Sequence, residues 1–130
     1  MKYEYAFDLK QKAIDVINKL GLHHVKPENF ECLRSRGTST RGVIARCHGL
    51  NKVMQLSLKR QAFYVLEFLS ERFDKMPEEE QIKVIIHELM HIPKAFGGGF
   101  RHHDFVTERN VDKLYKYYQE KKLFGYENKV

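Results

Sequence analysis

The sequence predicts an α+β protein, on three observations. Apolar residues recur at helical spacing near the start of the chain, in its second half and again near its end. Short runs of strand composition lie between the first two of these segments, and helix start and stop residues stand at the boundaries. With 130 residues, 42% of them hydrophobic, the chain can bury one core and is too short for two comfortable domains, so residues 1–130 are read as one domain.

In residues 5–20, YAFDLKQKAIDVINKL, Leu9, Ala13, Val16, Ile17 and Leu20 share one helical face, and Gly21 follows as the stop. HHVKPENF reads as a connector and Phe30 to Ser35 as a short strand. VIARCH (43–48) and VMQLSL (53–58) are expected to be strands joined across GLNK, because Gly and Asn are hairpin-turn residues. AFYVLEFL is a third apolar run. From Pro77 the period changes. Proline at a first helical position, then Glu78, Glu79 and Glu80 at the positive end of the helix dipole, start a helix on which Ile82, Ile85, Ile86 and Leu89 form one stripe. Pro93 disfavours helical geometry at Ile92 and ends this helix near His91. After three consecutive glycines VTERNVDKLYKYYQEKK (106–122) resumes helical spacing through Val111, Leu114, Tyr115 and Tyr118. The order gives an N-terminal helix, a small twisted sheet, a central helix and a C-terminal helix.

Composition removes several classes of function. No window approaches the ~18 apolar residues of a membrane span, and MKYEYAFDLKQK alternates charged and aromatic residues where a secretory signal needs an apolar run. A cytoplasmic location with no membrane partner is the expectation. Cys32 and Cys47 are too few for a disulfide framework or a four-cysteine zinc ribbon and read as reduced thiols. A net charge of +6 and a pI near 9.3 suit an anionic partner, nucleic acid included, without identifying one. The densest basic stretch, RSRGTSTRGVIAR, sets Arg34, Arg36, Arg41 and Arg46 around a Gly/Ser/Thr loop. No aromatic residue interleaves with them, so the stretch reads as a solvated loop between strands and not as a stacking surface for single strands.

The chemistry lies in residues 87–103, HELMHIPKAFGGGFRHH, which hold four of the seven histidines. His87 and His91 are four apart on a helix, so their imidazoles project from one face about one turn from each other, nearly opposite the apolar stripe. Two imidazoles so spaced can grip one Zn²⁺, leaving need of a third protein ligand and one open position. Glu88 follows the first histidine and is placed to act as general base toward a water activated by the metal. This is the content of the H-E-x-x-H motif. Shuffling this composition would produce the motif in roughly three chains in a hundred, so its setting on a capped amphipathic helix is what gives it weight.

The third ligand separates the classes of such sites, the zincins. The metzincin pattern needs Gly at 94 and His at 97, where this chain has Lys94 and Gly97, so that class is excluded. Glu108 is the acidic candidate on the next helix. His102 and His103 are better placed, because a loop containing three glycines can turn back to the first two ligands. If the last helix begins near Asp104, position 103 continues its inward stripe and position 102 does not, which favours His103 over His102. His23, His24 and His48 have no ligand spacing and read as ordinary loop or sheet residues.

HELMHIP, the preceding SERFDKMPEEEQIKVII, the following Gly-rich turn with RHH, and the V-x-x-LY of VDKLYKYY together resemble a metallopeptidase family found in archaea and phages. The resemblance runs from about Arg34 to Tyr118. It implies a zincin-like α+β fold with zinc held by His87, His91 and a histidine of the RHH segment, and Glu88 as catalytic base. A more distant similarity is to SprT-type metalloprotease domains, which act on proteins bound to DNA; the two cysteines in these 130 residues are too few for the zinc ribbon those domains usually carry.

The sequence therefore leads to a zinc-dependent peptidase acting on a peptide or protein. A strand within residues 53 to 69 is expected to form the cleft edge and hold an extended substrate by main-chain pairing. Two other readings stand beside it. One is a non-catalytic zinc-containing binding module whose basic surface docks nucleic acid, and the other a zinc hydrolase of a non-peptide amide or ester.

Overall fold

The computed structural model describes residues 1–38, 41–101 and 105–124. Its order is β1 (Lys2–Tyr5), α1 (Phe7–Leu20), a 3-10 turn (Pro27–Asn29), β2 (Phe30–Arg36), β3 (Ala45–Gly49), α2 (Lys52–Leu58), β4 (Tyr64–Leu69), α3 (Ser70–Phe73), α4 (Glu78–Met90) and α5 (Glu108–Phe124). The α+β class expected from the sequence holds, with a mixed four-stranded sheet in the order β1-β2-β4-β3. β1 is antiparallel to β2, β2 parallel to β4, and β4 antiparallel to β3. The register aligns Cys32, Leu66 and Cys47 across three strands. Because side chains alternate along a strand, Phe30, Cys32, Tyr64, Leu66 and Phe68 all reach the face that α1 and α4 cover, with α5 packed on those two helices.

The helices form where their stripes and caps dictate. α1 buries Leu9, Ala13, Val16 and Ile17, and Gly21 closes it in the left-handed conformation, φ 68°, its amide donating to the Ile17 carbonyl. α4 buries Ile82, Ile85, Ile86 and Leu89; each such side chain contributes roughly 1.5–3 kcal/mol on leaving water. Pro77 stands one position before the first helical residue, as the N-cap, and His91 is the C-cap ahead of Pro93. Among the described residues no helix is long and apolar enough to cross a membrane.

Three expectations are corrected. β1 was not anticipated, yet KYEY is a strand whose alternation ends as two exposed tyrosines, Tyr3 and Tyr5, on a sheet edge. VMQLSL is a helix, not a strand. Asn51 starts it by accepting a hydrogen bond from the Met54 amide at 2.9 Å, and Lys59 ends it in the left-handed conformation, so GLNK is no hairpin. Finally, α5 begins at Glu108 with the Thr107 hydroxyl accepting from the Asn110 amide, and residues 105–107 are not helical. The helical phase of α5, on which His103 was favoured over His102, is thus interrupted at residues 105–107.

Candidate metal centre and its cleft

α4 carries two stripes. Opposite the buried isoleucines, Glu80, Lys83, Val84, His87 and Glu88 follow one another at helical spacing and line a cavity of about 590 Å³. Its other walls are Val43 to Ala45, leading into β3, and Glu108, Val111 and Asp112 on α5. A second cavity, about 350 Å³, is lined by Ala45, Arg46, Cys47, His87, Glu88, His91, Phe100 and Arg101. The two share Ala45, His87 and Glu88, so one cleft runs along β3 with the H-E-x-x-H residues at its middle. The edge strand at this cleft is thus β3; β4 is interior and residues 53–58 are helical, which corrects the expected edge within 53 to 69.

His87 and His91 have ring centroids 5.0 Å apart with planes at 74°. Two imidazoles sharing one tetrahedral ion at Zn–N distances of about 2.0–2.1 Å have centres about 5 Å apart, a separation this pair matches. Glu88 is only 6% exposed, and its carboxyl has no hydrogen bond or ion pair with the described residues. Burial pushes that carboxyl up to about 7. The Glu88 carboxyl opens onto the cleft where the two cavities meet.

The expected third-ligand histidines, His102 and His103, lie outside the described residues. What precedes them is fixed: the Arg101 amide donates to the His91 carbonyl at 2.8 Å. After them, Arg101 stacks over the Phe105 ring at 3.9 Å. Glu108 borders the same cavity as His87 and Glu88. Among the described residues, however, no three His, Cys, Asp or Glu side chains converge closely enough to hold an ion.

The glycines before Arg101 are a docked segment more than a loose one. Gln55 donates through Nε2 to the carbonyls of Leu50 (2.7 Å) and Gly97 (3.0 Å). The Tyr64 hydroxyl donates to the Gly99 carbonyl (2.6 Å) and accepts from the Gly98 amide (2.9 Å). Gly98 has φ +103°, and a Cβ there would stand 2.4 Å from the Leu50 carbonyl oxygen. Sequence reasoning gave the three glycines turning freedom alike, and missed Gln55 and Tyr64 as their anchors. The one available signal was a single amide inside the apolar run VMQLSL.

β3 is fastened from behind by Glu67, which is buried. Its carboxylate accepts from the Ser35 hydroxyl (2.6 Å), pairs with His48 Nε2 (2.8 Å) and lies 3.6 Å from Arg46. Burial works to raise this carboxyl, but those partners outweigh it and hold it below its ordinary value. His48 is therefore a sheet residue, His24 bonds the Ile92 carbonyl at the end of α4, and His23 is exposed. The basic stretch is largely engaged internally: Arg34 forks onto Asp8 and reaches Asp74, and Arg36 pairs with Glu4. Cys32 and Cys47 are free thiols, both pushed up to about 12 by burial.

No curated protein and no solved structure matches the chain. The family described as "Putative phage metallopeptidase" matches residues 1–124, a span that takes in β1 and α1 as well as the histidine helix, and the chain belongs to that family.

Proposed function

We propose that this protein is a zinc-dependent peptidase in which His87, His91 and a histidine of the His102–His103 pair hold the metal and Glu88 moves the proton. The observation that carries the reading is the pair of imidazoles 5.0 Å apart with a buried, unpartnered carboxyl beside them in a cleft along an edge strand. Membership of a metallopeptidase family supports it. The hydrogen bond from Arg101 to the carbonyl of His91 supports the third ligand, since the next two residues in the sequence are the histidines. Bound zinc would act as a Lewis acid on the scissile carbonyl and acidify the attacking water.

The protein's own part is positioning and proton transfer. β3 offers an extended peptide an edge along which to pair, and Glu67 fastens that edge strand to the interior of the sheet. Glu88, ionised, accepts a proton from the attacking water. Once protonated it returns that proton to the departing amine nitrogen, so that the C–N bond breaks with net addition of one water. Glu88 lines the cleft beside both imidazoles, within reach of a water held between them, and that placement suits it to both transfers.

Protein prepared without chelator is expected to carry one zinc per chain by elemental analysis. Glu88→Gln should keep the zinc and lose peptide hydrolysis by a factor of about 10² to 10⁴. Loss of zinc in that variant would make Glu88 a ligand, and full activity would remove it from the reaction. His102→Ala and His103→Ala, compared by chelator competition, identify the third ligand; a large loss on Glu108→Ala alone would assign it to the carboxylate. Hydrolysis of esters or simple amides with no cut in any peptide would point to a non-peptide hydrolase.

A further inference from the structure

We infer that the larger cavity beside Glu88 is a subsite for a basic side chain, lysine or arginine, of the substrate; this rests on the peptidase reading above. The chain as a whole is basic, at +6, but this cavity runs against that sign. Glu80, Glu108 and Asp112 stand on its walls in addition to Glu88. Lys83, the one ammonium among its lining residues, is committed to Asp112 at 3.2 Å and lies 4.0 Å from Glu79. Glu80 lies near enough to Lys83 to act on its charge without pairing with it, and Glu108 has no ion pair among the described residues.

Much of the remaining lining is aliphatic: Val43, Ile44, Val84 and Val111. A cavity with apolar walls and carboxylates suits a side chain built the same way, with a hydrocarbon stem and a cationic head. A leucine in this place would cover the valines and strip water from two carboxylates with nothing in return. An acidic residue would be repelled. Glu88, 6% exposed and with no hydrogen bond or ion pair among the described residues, opens into the same space and adds a further carboxyl to its wall. The preference is one-sided. The second cavity, across Glu88, carries Arg101 and an Arg46 paired with Glu67, and no carboxylate other than Glu88 lines it.

The test is cut-site mapping by mass spectrometry, with zinc-loaded protein and a peptide mixture, alongside calorimetry with two peptides that differ only in lysine against norleucine. Lysine or arginine should be enriched on one side of the cut and not the other. The lysine peptide should bind at least about tenfold more tightly than its norleucine twin, the size expected of a charge-assisted pair. Glu80→Gln combined with Glu108→Gln should remove most of that ratio, and Glu80→Lys, which touches no metal ligand, should invert the preference toward acidic residues. Zinc content is measured on each variant. Cuts without basic enrichment, or a lysine preference that survives the double variant, would overturn the subsite. If no peptide is cut at all, the hydrolytic reading fails by itself and calorimetry still decides the subsite. Equal affinity for the two peptides then overturns it, and a lysine preference lost in the double variant sustains it.

Discussion

α4 and α2 allocate their side chains in opposite ways. α4 buries four large aliphatic residues and turns Glu80, Lys83, Val84, His87 and Glu88 to a cleft. α2 leaves Val53 71% and Leu56 80% exposed, with Met54 and Leu58 also outward, and buries its one amide, Gln55. The first is an ordinary amphipathic helix, stabilised by what it removes from water. The second is held by its Asn51 cap and by the two carbonyls that Gln55 satisfies, one of them on the glycine segment that leads to Arg101. Apolar content thus signals burial in one helix and not in the other, and the second helix serves as a strut for the loop beside the candidate metal site.

The contrast can be broken most severely in α4. Ile86→Ala removes a fully buried side chain and is expected to cost about 2–5 kcal/mol by chemical denaturation. A loss under 1 kcal/mol would mean that the stripe is not what holds the helix. Gly98→Val comes next, because a β-branched residue must adopt φ +103° and meets the Leu50 carbonyl; a loss of about 1–3 kcal/mol is expected, with weaker zinc retention in chelator competition. Gly97→Ala and Gly99→Ala, where an added Cβ meets nothing within 4 Å, should leave both quantities nearly unchanged. Equal effects at all three glycines would restore the reading of a generally flexible loop.

Gln55→Leu should cost about 1–3 kcal/mol despite adding apolar area, since it leaves the Leu50 and Gly97 carbonyls without their donor. A gain in stability would show that α2 is an apolar element after all. Smaller again is a pH effect behind β3. Glu67 is held below its ordinary value of 4.5, so its contribution is present above about that pH and is lost as pH falls through its lower folded value. Glu67→Gln should therefore be less stable than the parent at pH 7, with the gap closing in acid; a constant gap from pH 7 to pH 3 would deny the carboxylate this role. Smallest of all, Leu56→Ser should change stability by no more than about 0.5 kcal/mol.

The sequence by itself determined what local chemistry determines. Helical spacing put Leu9, Ala13, Val16 and Ile17 inside, Gly21 and Pro93 ended two helices where steric rules require, and His87, Glu88 and His91 fell on one face because 3.6 residues make a turn. Tertiary structure decided the rest. Whether VMQLSL is strand or helix turned on the Asn51 cap and on a loop more than forty residues away that gives Gln55 a partner, and no local window contains that loop. Which strand forms the cleft edge followed from a parallel β2–β4 pairing that sends β4 to the interior and leaves β3 outside. The acidic cavity, likewise, gathers Glu80 and Glu108 from helices that come together only when both are packed on the core, because carboxylates nearly thirty positions apart share no pattern until folding makes them neighbours.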